Sequence, residues 1–213
     1  GILSINKAVI TATANNQSRL YGTANPTFTI AYSGFQNGET PVVIDALPTA
    51  STVANAVSPV GTYAIVPAGG SDDNYSFSYT NGALSITKAT VVVTANNQSR
   101  TYGAANPPLT ISYSGFQNGE TSTVIDVLPT ASTTANNTSP VGSYVITPAG
   151  GSDNNYNFNY NNGILTVNKA TITVTANNQS RLYGAANPSL TITYSGFQNS
   201  ENTAVIDVLP TAT

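Results

Sequence analysis

Cysteine, histidine, methionine and tryptophan are all missing from the 213 residues. Without cysteine there is no disulfide framework, although the compartment stays unnamed. Without cysteine or histidine there is no thiolate nucleophile, no imidazole base and no nitrogen or sulfur ligand for zinc. Charge is scarce too, with 6 Lys and Arg against 9 Asp and Glu for a net −3. That balance lacks the basic stripe of a nucleic-acid-binding surface, so no nucleic-acid partner is expected. No apolar run approaches the roughly 20 residues that cross a bilayer, so no membrane insertion is expected in this segment. Neither a leader peptide nor an initiator Met is evident, and the chain reads as an internal window of a longer one.

Repetition is what the chain does have. "NNQSRLYGTANP" from Asn15, "NNQSRTYGAANP" from Asn96 and "NNQSRLYGAANP" from Asn177 are nearly the same phrase, and Lys7, Lys88 and Lys169 head matching segments at a spacing of 81 residues. Gly1–Asn6 ("GILSIN") matches the repeat ends "GALSIT" and "GILTVN". The expected domains are residues 1–6 as the last strand of a preceding repeat, 7–87 and 88–168 as complete repeats, and 169–213 as the first part of a following one. The two end fragments are each too short to fold alone, so their expected partners are neighbouring repeats of the same or an identical chain, the latter by strand addition into a filament.

Within a repeat the pattern is that of strands. Tyr75, Phe77 and Tyr79 alternate with Ser76, Ser78 and Thr80, the period of a half-buried strand. Asn81-Gly82 follows, a strong signal for a two-residue hairpin that would set Tyr79 opposite Leu84 and Phe77 opposite Ile86. Ile10 and Ala12, Phe28 to Tyr32, and Tyr63 with Ile65 mark three more strands. In "GETPVVIDALP" Thr40 suits an N-cap and Pro41 a first helical position, so Val43, Ile44 and Leu47 are expected on one helical turn that plugs an end of the domain. At the junctions the inward phase flips, from Leu165 and Val167 to Ile172 and Val174, with no Gly or Pro between them. One extended segment is therefore expected to leave one domain and enter the next, a stiff head-to-tail rod rather than beads on a coil.

The repeated phrase admits two readings. Gly22, Gly103 and Gly184, each two residues before Asn-Pro, suit a shaped loop with a positive-φ glycine, which accounts for Gly, Asn and Pro by turn chemistry alone. The other reading is a ligand loop for glycans or mucin, using Arg19, Tyr21, Arg100, Tyr102, Arg181 and Tyr183, whose aromatic and planar donor groups suit sugars. Arg19 and Tyr21 would otherwise reach a carboxylate of their own repeat, Glu39 or Asp45. Asp72, Asp73 and Asp153, in "GGSDDNY" and "GGSDNNY", are calcium candidates beside the plainer reading of an Asx turn; no other cofactor is expected. Glu39 and Asp45 are the only pair left for hydrolytic chemistry, and a catalytic pair copied in every repeat has no evident purpose, so no catalytic residue is assigned and no enzyme is expected.

The order "KATVVVTANNQSRTYGAANP", "YSGFQNGE", "SPVGSYVITPAGGSDNNYNFNY" and "NGILTVNKA" resembles the MBG domain of the YGX type over essentially the whole chain. The "YG" of that name falls at Tyr21-Gly22, Tyr102-Gly103 and Tyr183-Gly184. The resemblance implies a secreted, repetitive, adhesin-like protein of the bacterial cell surface, built of small mainly β domains that are β-grasp-like, with an Ig-like sandwich left open beside them. It brings no ligand and no catalytic residue. The resulting expectation is an extracellular stalk or spacer of tandem β-domains, with one short helical turn per repeat, and its alternative is a multivalent glycan-binding array.

Overall fold

A computed structural model describes residues 1–213 as a chain of short strands. In the first repeat these are β1 (Ala8–Ala14), β2 (Gln17–Leu20), β3 (Ile30–Ser33), β4 (Thr49–Ser51), β5 (Gly61–Ala68), β6 (Tyr75–Thr80) and β7 (Gly82–Thr87). They form two sheets, of order β3-β1-β6 and β2-β7-β5-β4. The second repeat has β8 (Ala89–Ala95), β9 (Gln98–Thr101), β10 (Ile111–Ser114), β11 (Thr130–Thr133), β12 (Gly142–Ala149), β13 (Tyr156–Asn161) and β14 (Gly163–Asn168), ordered β10-β8-β13 and β11-β12-β14-β9. Residues 169–213 contribute β15 (Thr173–Ala176) paired antiparallel with β16 (Ile192–Ser195). The chain is thus mainly β, in small tandem domains.

Contacts divide the chain into two compact units, residues 1–92, 113–128 and 151–159, and residues 93–112, 129–150 and 160–213. In the first, β1 and β5 approach one another, and Ile10, Ile44 and Tyr75 close a buried cluster lined by Ala8, Tyr32, Phe35 and Phe77. In the second, Ala95, Ala135, Ile146 and Leu165 form the core, with Leu109, Ala131 and Tyr144 against it. Inward residues at every second position explain both: Leu84 and Ile86 on β7, and Leu165 and Val167 on β14, are almost fully buried, worth about 1.5–3 kcal/mol for each such side chain.

The expected hairpin at Asn81-Gly82 does not form. β6 pairs parallel with β1 (Ala8↔Tyr75, Ile10↔Phe77, Ala12↔Tyr79), whereas β7 pairs antiparallel with β5 and parallel with β2. Gly82 lacks the positive φ of a type I′ turn. Its role is steric: a Cβ there would lie 2.4 Å from the carbonyl oxygen of Ala14, so glycine lets the chain cross from one sheet to the other against β1. Gly163 repeats this against Ala95. Alternation was read correctly, but it cannot say which strand lies alongside.

The expected phase change appears at the junction after β7 but not at Lys169, where the sequence places it: residues 169–172 there carry no strand, Ile172 is half-buried and Val174 is exposed. Only Lys88 separates β7 from β8, and the buried set passes from even positions (Leu84, Ile86) to odd ones (Ala89, Val91, Val93) across it. Lys88 donates from Nζ to the Asp153 carbonyl at 2.8 Å. The helical turn is a single 3-10 turn, Pro41–Val43, with copies at Ser122–Val124 and Thr203–Val205. Thr40 occupies the N-cap position without a side-chain cap bond, whereas Thr121 accepts from the Thr123 N–H. Ile44, just past the turn, is the plug, and Leu47 is exposed. Gly1–Asn6 carry no strand, and Ile2, Leu3 and Ile5 are exposed.

Candidate functional site: the joint between repeats

A third of the repeated phrase is strand in the first two copies, and none of it in the copy from Asn177. Gln17–Leu20 pairs parallel with β7, in register Gln17↔Leu84 and Arg19↔Ile86, and this points Arg19 inward. Its guanidinium is spent inside the repeat: Nε donates to Asn25 Oδ1 at 2.7 Å, Nη1 to the Leu20 carbonyl at 3.0 Å and Nη2 to the Asn55 carbonyl. Asn25 in turn donates to the Ala54 carbonyl at 2.7 Å. Arg100 makes the same set with Asn106, Thr101 and Asn136. The planar fork of Arg ties β2 to the loop before β5, a geometry that suits its several donors.

Just beyond the strand the chain turns at Gly22, whose φ is +81°. Tyr21 is thereby aimed away from its own repeat. Its hydroxyl donates to Glu120 Oε1 at 2.6 Å, not to Glu39 or Asp45 as expected. Glu120 belongs to the "GFQNGE" stretch of the second repeat, held by a turn in which its N–H donates to the Gln117 carbonyl at 2.9 Å. Its second oxygen accepts from the Tyr156 hydroxyl. One carboxylate therefore joins a tyrosine from each repeat. The Tyr21 ring stands edge-on to Tyr156 at 5.5 Å and 87°, and Tyr156 stands edge-on to Phe116 at 5.4 Å and 83°, an arrangement aromatic quadrupoles favour. The Gln117 N–H donates to the Tyr156 hydroxyl at 2.9 Å, so that oxygen both gives and receives.

Gly22 completes the fit. A Cβ at this position would lie 2.2 Å from Cβ of Gln117, so glycine is required here by its neighbour as well as by its φ. Val60 of the first repeat also donates its N–H to Asn155 Oδ1 at 3.0 Å. The same joint recurs one repeat on, where Tyr102 donates to Glu201 Oε1 at 2.6 Å and a Cβ on Gly103 would meet Gln198 Cβ at 2.4 Å. The electrostatics follow from the contacts. Hydrogen bonding to Glu120, then burial and the carboxylate's charge, raise the Tyr21 phenol above its ordinary value. Burial first, then the bond to Glu120, raises Tyr156 strongly. Both tyrosines are held neutral, as donors to an anion.

The remaining candidates lie elsewhere. Glu39 accepts from Tyr75, and Asp45 accepts from the Asp73 N–H at 3.2 Å, so each is engaged separately. Asp72 is buried, and its Oδ1 accepts from the N–H groups of Asn74 (2.7 Å) and Tyr75 (2.9 Å); Asp153 does the same for Asn155 and Tyr156. These are Asx turns that start β6 and β13, while Asp73 is exposed. No group of three or more acidic or metal-ligating side chains gathers anywhere. Arg181 and Tyr183 are exposed, and Arg181 donates only to nearby carbonyls of Leu182 and Ala185. Sequence reading missed Gln117, Glu120 and Tyr156 as partners of the Tyr-Gly loop. The signal was present in "GFQNGE" at Gly34 and Gly115 and "GFQNSE" at Gly196, a second phrase as regular as the first.

No curated protein matches the chain. Among solved structures, the I9-I11 tandem from titin is similar over 78% of this chain and 69% of its own at 14% identity, but its TM-score of 0.29 is too low to bear on the fold. The model of the MBG domain (YGX type) matches residues 10–85, 91–166 and 172–213, and the repeats described here are its repeats: the chain belongs to the MBG domain family.

Proposed function

We propose that this chain is a structural repeat region, the stalk or spacer of a secreted bacterial adhesin-like surface protein, in which the Tyr-Gly loop fixes one repeat on the next. One observation carries this reading: the same donor tyrosine, glutamate and glycine–glutamine fit recur at both joints, Tyr21 with Glu120 and Tyr102 with Glu201. A joint built alike at each step gives every repeat the same seat on its neighbour, which a spacer needs and a ligand site does not. A connection of Lys88 alone between β7 and β8 supports it, since a link this short has none of the freedom of a Gly/Ser linker. Charge-poor Ser, Thr and Asn surfaces suit a segment exposed outside the cell, where it meets solvent and little else.

Small-angle scattering tests the reading. The maximum dimension of this chain and of one extended by two further repeats should grow nearly in proportion to repeat number, and compact particles would overturn it. Retention on immobilised mucin or a glycan array, lost in Tyr21→Ala and Tyr102→Ala, would replace the spacer with an adhesive array whose weak sites act by multivalency.

A further inference from the structure

The two ends of the first repeat run side by side. Ala8 to Thr13 pair parallel with Tyr75 to Thr80, and Gln17 to Leu20 pair parallel with Leu84 to Thr87. Between these two sets the Asn16 Oδ1 accepts from the Ala83 N–H at 2.8 Å, across the same separation of 67 residues that relates every pair in both. The two pairings are therefore one ladder, which keeps its register while both threads cross together from the three-stranded sheet to the four-stranded one. Gly82 makes that crossing close, since a Cβ there would lie 2.4 Å from the Ala14 carbonyl oxygen. Main-chain bonds close both ends, from the Ala8 N–H to the Asn74 carbonyl at 3.0 Å and from the Tyr21 N–H to the Thr87 carbonyl at 2.8 Å. Ile10, Ala12 and Ala14 on one thread and Tyr75, Leu84 and Ile86 on the other are buried, so the core covers one side of the ladder. In the second repeat Gln98 to Thr101 pair parallel with Leu165 to Asn168 in the same way, and Asn97 Oδ1 accepts from the Ile164 N–H.

We propose that this ladder gives the repeat a load-bearing function, as a clamp that resists tension applied along the chain. The thread that enters at Ala8 and the thread that leaves at Thr87 are parallel, so tension draws them in opposite directions along their own length. Every rung is then loaded at once. A terminal hairpin, in which the chain enters and leaves at the same end, would instead open rung by rung. The long-range pairing that replaces the hairpin at Asn81-Gly82 is thus the arrangement that holds under load. That tension arises at all rests on the spacer reading, whereas the clamp is a property of one repeat.

The test is single-molecule stretching of the full chain at constant force, and a sequence without cysteine lets the handles be placed at will. One variant, Asn6→Cys with Thr87→Cys, loads the ladder along its length. The other, Asn6→Cys with Asp73→Cys, pulls the two threads apart at the Ala8 end, and all three positions are exposed. Unfolding of the repeat is identified by the chain it releases, about 3.5 Å for each residue between the handles. At the same force the first variant should hold at least about tenfold longer than the second, the effect of breaking two or more main-chain bonds in one step instead of in turn. By strand alternation, the Tyr21 N–H on Thr87 places the Gln17 N–H on the β7 side and the Ser18 N–H on the open side of β2. Gln17→Pro should therefore shorten the lifetime along the ladder about five- to tenfold, and Ser18→Pro should leave it within about twofold. Equal lifetimes in the two pulling directions would overturn the clamp, as would Ser18→Pro acting as strongly as Gln17→Pro. Either result would leave the spacer reading intact, which falls instead to compact particles in scattering.

Discussion

The hydroxyl of Tyr21 lies 2.6 Å from Oε1 of Glu120, ninety-nine residues further along, and Tyr102 stands at the same distance and the same sequence separation from Glu201. The separation exceeds the 81-residue repeat. The bond therefore spans repeats, and Glu120, which also takes Tyr156, ties Tyr21 of the first repeat to Tyr156 of the second.

Glu120→Ala should uncouple the first two repeats. Removing a half-buried carboxylate that accepts from two tyrosines costs about 2–4 kcal/mol, given roughly 1.5–3 kcal/mol for a charged hydrogen bond. Denaturant unfolding should then separate into two transitions. A double-mutant cycle with Tyr21→Phe should give a coupling of about 1–2 kcal/mol, and additive effects would show that the bond contributes nothing.

Gly22→Ala joins two penalties, a left-handed φ of +81° and contact with Gln117. A loss of about 1–3 kcal/mol is expected from strain and overlap together. Gln117→Gly in the same chain should recover the steric part but leave about 1 kcal/mol for φ. Gly103→Val should cost at least as much at the second joint, with thermal unfolding as the measure.

Stability should fall at alkaline pH. The Tyr21, Tyr156 and Tyr75 phenols are all raised in the folded state, Tyr21 and Tyr75 first by bonds to Glu120 and Glu39 and Tyr156 first by burial. A raised phenol means that the folded chain holds its proton more tightly than the unfolded one. The contribution is then full below about pH 10, the ordinary tyrosine value, and is lost as pH climbs beyond it. Tyr21→Phe with Tyr156→Phe should flatten the decline between about pH 10 and 12, and an unchanged slope would remove these groups from the cause.

Arg19→Lys should not be conservative. The guanidinium serves Asn25, Leu20 and Asn55 at once from a buried position, and an ammonium cannot match that fork. A loss of about 2–4 kcal/mol is expected as the Asn55 carbonyl and Asn25 amide lose their partner. A stability within 0.5 kcal/mol of the parent, about the scatter of a surface change, would mean that Arg19 is not structural.

Local chemistry was legible in the sequence. The alternation of Tyr75, Phe77 and Tyr79, the positive φ of Gly22, the turn after Thr40, the Asx turn at Asp72 and the phase change at Lys88 all follow from constraints that act within a few residues. So did the repeat length and the mainly β class. What the chain by itself could not state is which strand lies beside which. Asn81-Gly82 signals a hairpin in isolation, but the β1 edge offers β6 a parallel partner and Gly82 a passage past Ala14, and a long-range pairing overrode the local signal. For the same reason Tyr21 was assigned to the wrong carboxylate. Turn residues fix where a side chain leaves the backbone, but its partner is chosen by whichever surface the tertiary fold brings within 3 Å, and for Tyr21 that surface belongs to the next repeat.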